Sequence, residues 1–458
     1  MSILGVSAFH HDSAAALIKK GRIIGACHEE RFTRKKFDSN WPQQSIDYLH
    51  NKANGIKTVS FYDKDNKGDS KSLIKKQFPQ AEVVYVDHHE SHAMSSILTT
   101  DWEECAVMVV DTVGGDYSTS LGVFSNNQFK WLKRIKYPNS LGLFYSTATR
   151  LLGFKPLHQE AQVMAAAGYG TPKWADYIKN YIIQINEGNY QLKLDLRRGV
   201  GYGVLDWDIA CSVQSVLEEA LLSLAKWLQK ETGMNNLAYS GGVALNCVAN
   251  TTLSKFSGFE NIAIQPASGD AGCSLGAAAL ISRPSWDNAY LGYSENFNND
   301  AQLIAKSLLA GKIVPVITGK AEFGPRALGN RSFLALPTID NSERLHILKG
   351  RKTDTWRPWA PVCLEEFANS YFTVYNENYN YEMLFVADTL TNKWFNNRMK
   401  NARLQIVNKR KNLLLSEILE ITSEQNQPIL INTSLNARGK PIVNSIDDYK
   451  RELLSSGF

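Results

Sequence analysis

The chain lacks most of the short signatures that settle a function at sight. None of its six cysteines lies in a CxxC pair, and Cys27, Cys105, Cys211, Cys247, Cys273 and Cys363 are spread along the chain. That spacing fits free thiols in a reducing compartment and excludes a disulfide framework or a paired-cysteine zinc site. No G-x4-G-K-[ST] stretch occurs, so this is not a P-loop protein. No apolar run approaches the roughly 20 residues of a membrane span, and the first residues carry neither a basic n-region nor an apolar h-region. A cytoplasmic protein without membrane partners is expected. Charge of one sign is also scarce: 50 basic residues against 45 acidic leave +5, too little to argue for nucleic acid by itself. We found neither an internal repeat nor a low-complexity tract.

What is present reads as α/β. ILGVSAF and RIIGACHEER form strands around the turn after AAALIKKG, PQQSIDYLHNKAN forms a helix, and TVSFYD and EVVYVD form further strands. CAVMVVDTVGGDYSTSLGVFS is a strand, a glycine turn and a strand, and VQSVLEEALLSLAKWLQKET is a long amphipathic helix. LAYSGGVALNCVAN then runs strand, turn, helix start. The polar, aromatic stretch 285–300 has no apolar period, so the boundary is placed there: domain 1–284, linker 285–300, domain 301–458. At 458 residues, more than one domain is expected.

The stretch DHHESHA (87–93) resembles a zinc-protease helix but is not one, because H-E-x-x-H beginning at His89 would need histidine where Ala93 stands. His88 and His92, four apart, share one helix face. Asp111, closing CAVMVVD, and Asp270, in PASGDAG, are read as strand-to-loop carboxylates aimed at a cleft. Alternatively, the two histidines pad a helix. The turns holding Gly114, Gly115, Gly241 and Gly242 let backbone N–H groups approach a phosphate, though single glycine turns are more often only turns. Their order, a polar hairpin, a strand–Asp–Gly turn and a Gly-Gly turn, is that of an actin-like ATPase fold. In the second half Arg326, Arg331, Lys349, Arg351, Arg357, Arg403 and Arg438 stand beside Gly or Pro among apolar residues, without the carboxylates of solvated helix faces. Planar guanidinium forks suit phosphate and carboxylate oxygens. RNA binding would call for more stacking aromatics than Trp356 and Trp359.

GPRALGNRS, WRPWAP and INTSLN, together with HDSAAAL and DHHESHA, resemble the O-carbamoyltransferases of antibiotic and nodulation-factor biosynthesis over nearly the whole chain. The resemblance implies an actin-like (ASKHA) N-terminal domain of two lobes. It also implies a smaller α/β C-terminal domain, similar to the YrdC-like domains that make carbamoyl adenylate. Carbamoyl phosphate and ATP, as Mg-ATP, would give that adenylate, and the carbamoyl group would pass to a hydroxyl of a small-molecule acceptor, expected to be a sugar. His88, His92, Asp111 and Asp270 would hold a divalent metal (Fe, Mn or Zn), with His11 the base for the acceptor hydroxyl. Gly241, Gly242 and Asn246 would contact adenosine. Arg326, Arg357, Arg403 and Arg438, with Lys349 or Arg351, and Asn432 and Asn436 beside them, would take carbamoyl phosphate and the triphosphate. Nucleic acid is not an expected partner; a homodimer is compatible.

Some positions depart from the family pattern. Lys349 lies eight residues before Arg357 rather than six, Asn397 and Met399 replace a histidine and an aspartate, and Ala161 and Gln162 replace a glycine and a lysine. The chain stops at SSGF, where the family runs on, which implies a trimmed C-terminal domain or altered activity. Two other readings follow. A tRNA threonylcarbamoyl-type transferase would bind tRNA with a steep salt dependence. A nucleotide-binding scaffold without catalysis would bind ATP without turnover.

Overall fold

Six consecutive buried residues in SILGVS make the first strand the centre of a sheet rather than an edge. The computed structural model describes residues 2–65, 70–295, 299–351, 354–376, 381–386, 388–390 and 402–454. Asn397, Met399 and the closing SSGF lie outside them. In the first lobe β1 (Ser2–Ser7), β2 (Ala14–Lys19) and β3 (Arg22–His28) form an antiparallel meander. β4 (Thr58–Phe61) and β5 (Glu82–Tyr85) extend it in parallel on the other side of β1, giving the order β3-β2-β1-β4-β5.

The second lobe repeats this plan. β6 (Cys105–Gly114), β7 (Tyr117–Ser125) and β8 (Gln128–Lys136) are the antiparallel meander. A small hairpin of β9 (Ile183–Asn186) and β10 (Asn189–Leu192) stands apart, and β11 (Asn236–Ser240) and β12 (Asn261–Ala263) extend the sheet in parallel from β6. Its order, β12-β11-β6-β7-β8, matches the first lobe strand for strand, although the sequence contains no detectable repeat.

Helix Asp270–Ile281 joins the lobes. Its sequence DAGCSLGAAALI has almost only small side chains, so it presses directly on helix His88–Ile97 and on β1. A Cβ on Gly276 would stand 1.8 Å from the Ser91 carbonyl oxygen, and only glycine permits that approach. Close packing of these helices brings the start of one against the start of the other.

The C-terminal unit begins with β13 (Tyr290–Glu295), β14 (Val314–Ile317), β15 (Gly319–Glu322) and β16 (Arg331–Ala335). It continues with β17 (Ala360–Leu364), β18 (Glu382–Val386), β19 (Arg403–Val407) and β20 (Ile429–Ser434). Six of these strands form a mixed sheet ordered β14-β16-β20-β17-β19-β18. Residues 285–300 are more than the expected linker: β13 pairs antiparallel with β15, and Ser285 bridges to Arg22 in the first lobe.

The segment after β3 fastens the two units together. His28 Nε2 accepts from the Gly324 N–H at 3.1 Å, and Arg31 donates to the Gly324 carbonyl at 2.8 Å. Arg34 forks onto both Glu452 oxygens at 2.8 and 2.9 Å and donates to the Pro441 and Ile442 carbonyls. Removing one partner of so buried a pair strands the other charge, so Arg34→Leu is expected to destabilise the protein by about 2–4 kcal/mol in urea titration.

His28 supplies a pH signature. Burial and the neighbouring Arg31 hold its imidazole down to about 4, as an acceptor for Gly324 requires. The unfolded chain binds this proton near pH ~6.5 and the folded chain only near 4, so the contribution is complete above ~6.5 and lost as pH falls towards 4. The loss amounts to about 3 kcal/mol. Urea midpoints measured across that window should show the slope, and His28→Gln should flatten it.

Candidate functional site

Asp87 starts helix His88–Ile97 by accepting from the backbone N–H groups of His89 and Glu90. The i, i+4 pair then brings the His88 and His92 rings together, with centroids 4.8 Å apart. β6 delivers Asp111, and the small-residue helix delivers Asp270 as its first residue. Neither carboxylate stands at a strand end as expected: β6 continues to Gly114, and Asp270 belongs to a helix.

Asp111 Oδ2 lies 3.3 Å from His88 Nε2 and 3.4 Å from His92 Nε2, and Asp270 Oδ1 lies 3.5 Å from His92 Nε2 and 4.0 Å from His88 Nε2. Ligands roughly 3–4 Å apart are what metal bonds of ~2.0–2.2 Å produce. His92 Nδ1 faces the Ser268 carbonyl at 3.1 Å, which can only accept. The proton therefore sits on Nδ1, and Nε2 turns a lone pair towards two carboxylates. That Nε2 is buried with no hydrogen-bond partner. Lone pairs facing carboxylates repel unless a cation lies between them: either a second proton on His92, which burial opposes and Cys273, Asp111 and Asp270 favour, or a divalent metal, which the four converging donors also fit. Without one, burial is outweighed by the bonds and charges of His88 and His92, which hold Asp111 well below the usual carboxylate range. Cys273, expected to be no ligand, is a further donor within reach: its thiol groups with His88 and His92, their donor atoms all within 4.8 Å.

The glycine turns serve this site rather than standing apart from it. A Cβ on Gly114 would lie 2.3 Å from the His88 ring, so its absence makes room for that ligand. Gly115 adopts φ +58° beside the Asp65 carboxylate. Gly241, at φ +97°, lies against the Val110 carbonyl, and the Gly242 N–H donates to Asp111 Oδ1 at 3.1 Å, orienting the carboxylate. Asn246, expected to contact adenosine, is engaged within the protein. Its side chain caps helix Cys247–Phe256 through the Ala249 N–H and exchanges two hydrogen bonds with Gln214. His89 is fully buried, its Nδ1 2.6 Å from Ser120 Oγ.

In the C-terminal unit, Arg326, Arg357, Arg403 and Arg351 gather in mutual repulsion. Burial, then Arg403 and Arg357, push the Arg326 guanidinium down to about 9. Burial with Arg403 lowers Arg357 to about 10, and burial with Arg357 and Arg403 lowers Arg351 well below its ordinary value. Against these four cations Asp354 is the carboxylate that acts on Arg351 and Arg357. Such an imbalance calls for an anion. Cys247, first residue of its helix and fully buried, is near Arg326 and Arg403, which brings the start of that helix close to the arginines.

The rest of the expected cluster divides. Lys349 is not a free cation: its buried ammonium donates to the Ser434 and Asn436 carbonyls, Ser434 Oγ and Asn436 Oδ1. Asn436 is thereby a clamp for Lys349. Asn432 donates to the Ala327 carbonyl and to Gln405 Oε1, while its own Oδ1 is buried without a partner. Arg438 sits at the rim, 60% exposed, paired with Asp354 at 3.4 Å. Arg331 turns away from the cluster and serves five backbone carbonyls in the core. Sequence reading missed Gln405, Cys247 and Cys273, which carry no local pattern.

His11 lies in a loop held by left-handed residues Phe9 (φ +78°) and Asp12 (φ +52°), a strain typical of functional loops. Its Nδ1 meets Asp12 at 3.1 Å and its Nε2 meets the Leu157 carbonyl at 2.7 Å. Burial opposes the charge, yet the bond and charge of Asp12, with Asp270 and Leu157, raise the imidazole to about 9. As held here, His11 is a cation donating from both nitrogens, not the expected free base.

Comparison with known proteins agrees with this layout. The carbamoyltransferase N-terminus family model matches residues 2–72 and 60–279, and the carbamoyltransferase C-terminus model matches 305–458. An uncharacterised protein of Synechocystis sp. is 31% identical over 98% of this chain and 93% of its own length. Nodulation protein NolNO of Sinorhizobium fredii is 29% identical over 98% of this chain and 78% of its own. The 3'-hydroxymethylcephem-O-carbamoyltransferase of Streptomyces clavuligerus is 26% identical over 65% of this chain and 63% of its own. Among solved structures, full-length HypF in its phosphate- and nucleotide-bound form aligns with a TM-score of 0.43 at 16% identity, covering 61% of this chain and 55% of that one. With both halves matched in order, the chain belongs to the carbamoyltransferase family and groups with its O-carbamoyltransferases.

Proposed function

We propose that the protein is an ATP-dependent O-carbamoyltransferase with an actin-like N-terminal domain of two lobes and a carbamoyl-adenylate-forming C-terminal domain. The observation that carries this reading is the pairing, in one chain, of an arginine cluster short of counter-charge in the C-terminal unit with a two-histidine, two-carboxylate donor set in the N-terminal lobes. The boundary between the units stays at 285–300, and the likeness of the second to YrdC-like domains rests on sequence resemblance.

At Arg326, Arg357, Arg403 and Arg351 water would cleave carbamoyl phosphate to carbamate and phosphate. A carbamate oxygen would then attack the α-phosphorus of Mg-ATP, and pyrophosphate would leave. Guanidinium forks neutralise the accumulating oxygens and keep bulk water from the product. The Asn432 Oδ1, buried and unpaired beside Ala327, would accept from the carbamoyl amide. In the N-terminal domain an acceptor hydroxyl oxygen would bond to the carbamoyl carbon, the bond to the adenylate phosphate oxygen would break, and AMP would leave. His88, His92, Asp111 and Asp270 would hold a divalent metal there, which supplies Lewis acidity and orientation. His11 would first release its Nε2 proton to solvent as that nitrogen leaves the Leu157 carbonyl, and the neutral imidazole, its Nδ1 held by Asp12, would then take up the hydroxyl proton. A sugar hydroxyl is the acceptor class that the family points to. The test is release of pyrophosphate from ATP that depends on carbamoyl phosphate; no release at any acceptor concentration rejects the reading.

A further inference from the structure

Resting on that reading, we infer that Lys36 is the positioning residue that hands the anionic carbamoyl adenylate from the arginine cluster to the metal and His11 site. The basis is its place in the fold. Left-handed Arg34 (φ +59°) and Phe37 (φ +57°) turn the chain sharply between them, so that Lys36 projects exposed from the turn. The turn touches both sites. On the N-terminal side the Phe37 ring lies 4.8 Å from the His11 ring, its N–H donates to Glu30 Oε2, and the Lys36 ammonium stands 4.9 Å over that Phe37 ring. On the C-terminal side Arg31 holds Gly324, two residues before Arg326, and Arg34 holds Pro441 and Ile442, just beyond Arg438.

The charges acting on Lys36 describe the same position. Partial desolvation at the turn holds its ammonium below the ordinary range, Glu30 and Asp12 attract it, and Arg357 and Arg326 repel it. It is thus within electrostatic reach of His11's partner and of the adenylating arginines at once. Among the described residues its ammonium makes no hydrogen bond or ion pair, so it is not committed to a structural partner.

Lysine suits a hand-over where arginine suits a grip. Planar guanidiniums hold a phosphate in fixed bidentate geometry, whereas an ammonium on a flexible stem can keep contact while the anion moves. On the receiving side the charges of Asp12, Asp111 and Asp270 offset those of His11 and the proposed metal, so a mobile cation at the boundary keeps the anion from passing without a counter-charge.

The experiment uses the full chain, radiolabelled carbamoyl phosphate and ATP, without acceptor. It follows pyrophosphate released and the labelled adenylate that stays with the protein through rapid gel filtration. Lys36→Met should lower retained label per pyrophosphate about ten-fold, a change worth one charge contact. Pyrophosphate release itself should fall less than two-fold, and Lys36→Arg should recover at least half of the retention. An unchanged ratio in Lys36→Met overturns the inference. So does a fall in pyrophosphate release equal to the fall in retained label, which would make Lys36 part of the adenylating site. If the unmodified protein releases no pyrophosphate, the carbamoyltransferase reading fails first and this inference with it. Equal melting temperatures for the variants, as expected of an exposed side chain, exclude misfolding as the cause.

Discussion

Arg326→Met is expected to cut carbamoyl-phosphate-dependent pyrophosphate release about a thousand-fold while leaving the melting temperature no lower than that of the unmodified protein. The loss follows from two charge-assisted hydrogen bonds, each worth about 1.5–3 kcal/mol, to oxygens whose charge grows in the transition state. The unchanged stability follows from the cluster's own electrostatics. Burial and the nearby Arg403 and Arg357 already push the Arg326 guanidinium down to about 9, so its charge strains the folded state. Arg326→Lys should recover less than a tenth of the activity, because an ammonium cannot reproduce the fork. A residue that served the fold would behave in the opposite way. Arg331, five residues on, bonds five carbonyls, and its loss should lower the melting temperature before any assay can be made. Parallel calorimetry and pyrophosphate assays on the two variants separate these cases, and a stability loss in Arg326→Met would sink the argument.

The second large effect is expected at His92. His92→Ala should reduce bound metal from about one ion per chain to below about a tenth, read by elemental analysis after dialysis, because a missing ligand leaves the other three poorly arranged. Carbamoyl transfer should fall at least about a thousand-fold, while pyrophosphate release stays within a few-fold of the unmodified protein. The split is the diagnostic result, because the arginines and the histidines belong to different units of the chain. His92 is fully buried, so alanine also leaves a cavity; His92→Gln, closer in volume, checks that lost packing is not the cause. If pyrophosphate release and transfer collapsed together in both variants, the two-site reading would be wrong.

Residue pattern alone went far at this centre and then stopped. The four-residue spacing of His88 and His92 fixes their shared face once the segment is helical, and Asp87 before them is a ready N-cap. Strand alternation and glycine turns likewise report local geometry, so β1, β6, β11 and the long helix Trp207–Thr232 were legible. Asn246 shows the limit: nothing in the sequence after the Gly-Gly turn announces that its side chain caps a helix and pairs with Gln214. Lys349 is similar. Nothing beside it in sequence announces the four oxygens, all from 434 and 436, that take up its ammonium.

By itself, then, the sequence determined the elements, the motifs and the kinds of side chain available: imidazoles on one helix face, glycines where chains must touch, and guanidiniums without carboxylate neighbours. Only the tertiary structure decided which of them meet. It set two lobes of matching strand order where no repeat could be read, because a topology can persist through packing after its residues have diverged. It brought Asp270 to His92 through a helix of small side chains, and it placed Lys36 between two charged sites through the anchors of Arg31 and Arg34. Periodicity carries information over a few residues, whereas these contacts span more than a hundred, and burial of complementary surfaces is what selects them.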